Sequence, residues 1–236
     1  MRLTLLDGFR LAYGGQTISV PLSAQRVLVC VALHELPVLR SFVASSLWED
    51  TDEERAHANL RSALWRLGCC GPHVVTASGK HLALADAVSV DVRDAERFAR
   101  TVLEDPAALA SCRGLGLLAS DLLPDWYDEW VVLEREHYRQ LRLRALETLS
   151  ERWLTAGRAD DALEAGFAAV TADPLRESAH RAVIRVHVAE GNASEAIRQY
   201  ELFNGILGRQ VGLQPSERMR ELIAALRAPR PDSELR

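Results

Sequence analysis

Four positions in the second half of the chain recur 34 residues further on: Gly157 and Gly191, Ala162 and Ala196, Leu163 and Ile197, Gly166 and Tyr200. That is the length of a tetratricopeptide unit, in which two short helices cannot bury their apolar faces alone and must stack on a neighbour. Small residues at these places let paired helices approach closely, and Asp173-Pro174 breaks the chain between units. The pattern predicts a long amphipathic helix over 128–156 before the array and a closing helix from Pro215-Ser216 to about Leu226 after it. A tail at 229–236, with Pro229 and Pro231 within it, is expected to be disordered.

The first ninety residues follow different rules. Leu3, Leu5, Phe9, Leu11 and Tyr13 alternate along the chain, Gly14-Gly15 suits a tight turn, and Ile18 and Val20 resume the alternation, so a small antiparallel hairpin is expected. Ser23 is placed to cap a first helix reaching about Leu36, with Pro37 as its stop, and a second short helix follows Ser41. A third should start near Asp52, where Thr51 and Glu54 have capping-box spacing within an acidic loop.

This third helix carries the most informative surface. Ala56, Leu60, Ala63, Leu64 and Leu67 form one apolar stripe, while Arg55, Asn59, Ser62 and Arg66 fall opposite it and Arg61 lies at the border. Val74-Val75-Thr76-Ala77, the turn Ser78-Gly79-Lys80 and the return from His81 to Leu84 then read as a β-hairpin with Lys80 at its tip. From Arg55 to His81 there is no Asp or Glu, although the whole chain is acidic, with 28 Lys plus Arg against 33 Asp plus Glu. A local cationic face on a globally acidic protein is the footprint of a polyanion. Arg offers a bidentate fork to guanine and Asn to adenine, whereas Ser, Thr and Lys suit the phosphate backbone.

Composition removes several alternatives. With 236 residues, 48% of them hydrophobic, the chain can fill two cores. The apolar run from Val27 to Leu33 is far shorter than the ~20 residues of a membrane helix, and no signal-peptide segment opens the sequence, so a cytoplasmic location is expected. Four irregularly spaced cysteines suggest free thiols in a reducing compartment. Cys69-Cys70 with His73 lacks the spacing of a zinc site, no phosphate loop is present, and no nucleophile–base pair can be discerned. Neither enzyme, metal site nor cofactor is expected.

Several stretches carry a family resemblance. Leu47-Trp48, the acidic loop and the run from Arg55 to Leu67 resemble the OmpR/PhoB-type winged helix of the Streptomyces antibiotic regulatory protein (SARP) family. Leu122-Leu123-Pro124-x-Trp126-Tyr127-Asp128-x-Trp130-Val131 and Glu134-Arg135-Glu136 resemble the entry to that family's bacterial transcriptional activation domain. Leu175-Arg176-Glu177 and Gly212-Leu213-x-Pro215-Ser216 resemble its later part. Gly68-Cys69-Cys70-Gly71 departs from the family, where basic residues are more usual.

The expected architecture is therefore an α+β winged helix-turn-helix domain over 1–95 followed by an all-α tetratricopeptide-like domain over 96–228. Candidate DNA-contacting residues are Arg55, Asn59, Arg61, Ser62, Arg66, Thr76 and Lys80. The resemblance implies an activator that binds direct repeats beside a promoter as a homodimer and recruits RNA polymerase for a secondary-metabolite, antibiotic-type gene cluster. It also places the acidic loop residues Glu49, Asp50, Asp52 and Glu53 where related winged helices touch polymerase. Trp126, Tyr127 and Trp130 are expected to pack rather than to anchor a partner. The reading set against all this is a protein-interaction adaptor whose N-terminal domain no longer binds DNA.

Overall fold

The computed structural model describes residues 1–70, 73–105 and 112–227, with backbone alone at 112 and 113. The expected tail at 229–236 and the residues Gly71 and Pro72 lie outside them. The fold is mostly helical with two small sheets among the described residues, and the chain divides into two compact units. One comprises residues 1–97 and 120–139, the other 98–119 and 140–236. The chain leaves the first unit after residue 97, returns to it at residue 120 and leaves it again after residue 139.

The first unit opens with β1 (Arg2–Thr4), β2 (Arg10–Tyr13) and β3 (Gln16–Ile18). These are joined by β7 (Ser89–Val90) in a four-stranded sheet of order β3-β2-β1-β7, with β7 parallel to β1. The sheet is larger than the expected hairpin because a two-residue strand gives no periodicity to read. Helix α1 (Leu22–Leu33) buries Ala24, Val27, Leu28 and Val31. Its N-cap is Pro21, not Ser23, and it ends at Leu33 rather than Leu36. The guanidinium of Arg93 closes that end by donating to the carbonyls of Ala32 (2.9 Å) and His34 (2.5 Å).

Strand β4 (Val38–Leu39) leads into α2 (Arg40–Leu47), and α3 (Glu53–Cys69) follows after the acidic loop. Asp52 caps α3 by accepting from the Arg55 amide at 2.8 Å. Thr51 instead donates its hydroxyl to the Trp48 carbonyl, so the Thr51–Glu54 capping box does not form. Strands β5 (Val75–Ser78) and β6 (His81–Leu84) make the expected hairpin, which β4 extends to three strands. Val27, Val31, Val43, Leu47, Leu60 and Leu82 meet in one core beneath α3.

Residues 120–139 belong to this unit for reasons visible in its hydrogen bonds. Leu6 bridges Leu122, and the amides of Asp7 and Leu123 donate to Asp121 and Leu5. Arg26 of α1 pairs with Asp128 at 2.5 Å. Within the segment, the Arg135 guanidinium donates to the carbonyls of Leu122, Leu123 and Trp126. The Glu-Arg-Glu and Leu-Leu-Pro-x-Trp motifs are thus one structure, in which an arginine satisfies three carbonyls that an irregular loop leaves open. Trp126 stacks on Phe9 and Trp130 packs on the core, as expected, but Tyr127 is 84% exposed.

Helices α4 (Asp91–Glu104) and α5 (Glu129–Thr155) run across the boundary between the units. Helix α4 starts at Asp91, which ties it to the residues that follow β1. The Asp91 carboxylate accepts from the amides of Leu5 (2.8 Å), Leu6 (3.2 Å) and Val92 (2.8 Å).

The second unit holds a 3-10 segment (Cys112–Leu118) and α6 (Ala159–Ala172), α7 (Glu177–Ala189), α8 (Ala193–Val211) and α9 (Glu217–Arg227). The 34-residue period of the sequence is present in its backbone. Gly157 and Gly191 share a left-handed conformation, φ 74° and 78°. The amides that follow, of Arg158 and Asn192, reach back to the carbonyls of Trp153 and His187, both at 2.8 Å. At Gly166, a Cβ would meet the Val183 side chain at 2.8 Å, so α6 and α7 touch where only hydrogen fits.

Candidate nucleic-acid interface

The outward face of α3 is built by the same stripe that packs it. Burying Ala56, Leu60, Ala63 and Leu67 leaves the opposite side to solvent, and Arg55, Arg61, Ser62 and Arg66 are exposed there while Asn59 is half-buried. Among the described residues, no carboxylate lies within ion-pair distance of Arg55, Arg61, Arg66 or Lys80. Arg66 has one weak polar contact, its Nη1 lying 3.4 Å from the Ser23 hydroxyl. Ser23, expected as a cap, is therefore a neighbour of the cationic face instead. The Ser62 hydroxyl donates to the Ala58 carbonyl at 3.0 Å and keeps its lone pairs available.

The hairpin places its own residues beside this face. Ser78 pairs with His81 across the two-residue turn Gly79-Lys80, which leaves Lys80 exposed at the tip. Thr76 is exposed on β5, its hydroxyl 3.3 Å from the Ala83 carbonyl. The turn is tethered from the other side, since the Arg40 amide at the start of α2 donates to the Lys80 carbonyl at 2.8 Å. A groove of about 300 Å³ runs between α3 and the hairpin, with Trp65, Gly68, Arg40, His73, Val75 and Ala77 on its walls.

Two of these residues went unremarked in the sequence. Arg40 is an isolated cation whose position is set by a non-local hydrogen bond, which no local pattern announces. Trp65 is detectable: on a helical wheel it falls outside the apolar stripe, and it is 71% exposed.

The acidic loop splits by role. Asp52 caps α3, and Glu53 lies 3.8 Å from His57 one turn on, so His57 is turned towards a carboxylate. Glu49 and Asp50 are exposed in the loop. Cys69 is exposed and Cys70 donates its thiol to the Arg66 carbonyl at 3.1 Å. No group of three metal-ligating side chains occurs among the described residues, and none of their helices is long and apolar enough to cross a membrane.

The residues that carried the later resemblance are joined in the second unit. Arg176 forms a fork with Glu147, at 2.6 and 3.2 Å. The Glu177 carboxylate accepts from the Ser216 amide (2.8 Å) and hydroxyl (2.5 Å), clamping the start of α9 to α7. Behind it, buried His180 bridges the Pro174 carbonyl (3.0 Å) and the Gln199 amide (2.9 Å) against the Phe203 ring, and burial pushes its imidazole below the usual histidine range.

The family model described as "Bacterial transcriptional activator domain" matches residues 83–227, more than half of the chain. Among solved structures, EmbR of Mycobacterium tuberculosis, determined in complex with a low-affinity phosphopeptide, matches with a TM-score of 0.73 at 19% sequence identity. The alignment covers 95% of this chain and 64% of that one, so this chain spans just under two thirds of its solved relative. At that identity the likeness is one of fold. No curated protein matches the chain.

Proposed function

The chain belongs to the bacterial transcriptional activator domain family, and from that premise we propose that it is a SARP-type transcriptional regulator that binds promoter DNA in a sequence-specific manner. The observation that carries this reading is the outward face of α3, where three arginines stand without carboxylate partners among the described residues. The order of α2, α3 and the β5–β6 hairpin supports a winged helix whose α3 enters the major groove while the hairpin holds flanking backbone.

In this reading Arg55, Asn59, Arg61, Ser62 and Arg66 face base edges and adjacent phosphates, while Thr76 and Lys80 hold the backbone. Arg40 joins them from the start of α2. The DNA-binding part is proposed as 1–95 and the activation part, tetratricopeptide-like in its helix pairs, as 96–228, with the segment 120–139 of the latter belonging to the first compact unit. The activation part supports a homodimer on direct repeats, which needs head-to-tail DNA-binding domains rather than a two-fold pair. Glu49 and Asp50 are exposed and suit a polymerase contact, whereas Asp52 and Glu53 are partly occupied by the cap and His57. The regulated genes are proposed to form a secondary-metabolite cluster, from the family resemblance.

A salt titration of duplex binding tests the reading. Several phosphate contacts release counterions, so affinity should fall steeply as a power of salt concentration, with a slope of about −0.9 per contact. An adaptor without a nucleic-acid target would show no binding at any salt concentration.

A further inference from the structure

Trp65 stands out on the proposed DNA-facing side. Its indole is 71% exposed, yet α3 packs through Ala56, Leu60, Ala63 and Leu67 on the opposite side, so the core has no use for it. Arg61 and Ser62 precede it by four and three residues, neighbours on one helical face, and Arg66 follows it directly. A large apolar ring exposed among cations suits a partner that is both polyanionic and locally apolar. A protein partner for this face would have to be acidic around an apolar pocket. Duplex DNA meets both demands in one groove: phosphates flank a major-groove floor whose single apolar feature is the 5-methyl group of thymine.

We infer that Trp65 is a specificity-determining residue that packs its indole on a thymine 5-methyl group when α3 lies in the major groove. The inference rests on the DNA-binding reading and adds to it a base preference that arginine and asparagine cannot supply. Arg55, Asn59 and Arg66 read polar edges by hydrogen bonds, whereas Trp65 selects by shape and apolarity. Its rigid ring loses little conformational freedom on contact, which suits an exposed anchor.

The experiment uses the full chain. A duplex is first enriched by the wild-type protein from a randomised pool, and each thymine in it is then replaced in turn by uracil, which removes only the methyl group. Wild type should lose about fourfold in affinity at one or two thymines, the equivalent of one buried methyl group. Trp65→Ala should bind the enriched duplex more weakly and show a flat uracil profile at those positions, with Trp65→Phe in between. Because the side chain is exposed, thermal melting of both variants should match wild type. An identical uracil profile in wild type and Trp65→Ala, or wild-type affinity in Trp65→Ala, overturns the inference while leaving DNA binding intact. A pool from which the wild-type chain enriches nothing overturns both it and the reading beneath it.

Discussion

The backbone amide of Arg40 donates to the carbonyl of Lys80 at 2.8 Å, joining the first residue of α2 to the tip of a hairpin forty residues later. This bond continues the β4–β6 pairing to the hairpin tip, and it leaves the Arg40 side chain beside the groove between α3 and the hairpin. Arg40→Ala keeps the bond and removes the cation, so the salt slope of DNA binding should flatten by about one unit with the fold unchanged. Arg40→Pro keeps a residue suited to a helix start but deletes the donor. Its hairpin amides should exchange faster with solvent than in wild type, measured by hydrogen exchange, and equal protection would show that the tether is dispensable.

Arg66 and Lys80 are expected to fail differently. Arg66→Ala should weaken binding to the preferred duplex by about 1–3 kcal/mol and relax preference at one position, as the loss of a bidentate base contact does. Lys80→Ala should weaken all duplexes alike. Mobility-shift titrations on preferred and scrambled DNA separate the two, and unchanged affinity in both variants would remove the assigned face.

Asp91 links the sheet to α4. Burial pushes its carboxyl above the ordinary range, against the pull of three backbone amides and the charge of Arg2. The amides of Leu5 and Leu6 have no other use for their protons in this geometry, so Asp91→Ala should cost about 2–4 kcal/mol in urea denaturation of the first unit. A loss below about 1 kcal/mol would mean that water replaces the carboxylate.

The His180 network predicts an acid sensitivity for the second unit. Burial favours the neutral imidazole, against the raising influence of the Pro174 carbonyl and Asp173. The folded form therefore takes up a proton less readily than the unfolded chain. Stability from this site is complete above the ordinary histidine pKa and is lost as pH falls through the lower folded value. Wild type should lose melting temperature between about pH 7 and pH 5 more steeply than His180→Gln, by differential scanning calorimetry. Parallel curves for the two proteins would count against a neutral buried ring.

Much of the helical half was legible because its signals are local. The 34-residue spacing placed Gly157 and Gly191, and the structure gives both the same left-handed backbone and the same closing hydrogen bond. The apolar stripe of α3 determined its exposed face before any coordinates, since a 3.6-residue period leaves only one way for such a helix to pack. The hairpin with Lys80 at its tip was equally plain from its turn and flanking alternation.

What the residues left open depended on partners far along the chain. Strands β4 and β7 have two residues each and exist only because β6 and β1 supply their hydrogen bonds. Pro21 rather than Ser23 begins α1, and Asp52 rather than Thr51 caps α3, because several nearby residues satisfy the same cap pattern and packing selects among them. The return of residues 120–139 to the first unit likewise hangs on Leu6 and Arg26 meeting groups distant in sequence.

Sequence alone determined which face of α3 is cationic and exposed, for that follows from the spacing of side chains along a single element. Tertiary structure decided that Arg40 and Trp65 share a groove with the hairpin, and that two resemblance motifs are one carbonyl-chelating loop. Hydrogen bonds and core packing between remote segments choose among local alternatives of nearly equal free energy, and those choices cannot be read from neighbours in the chain.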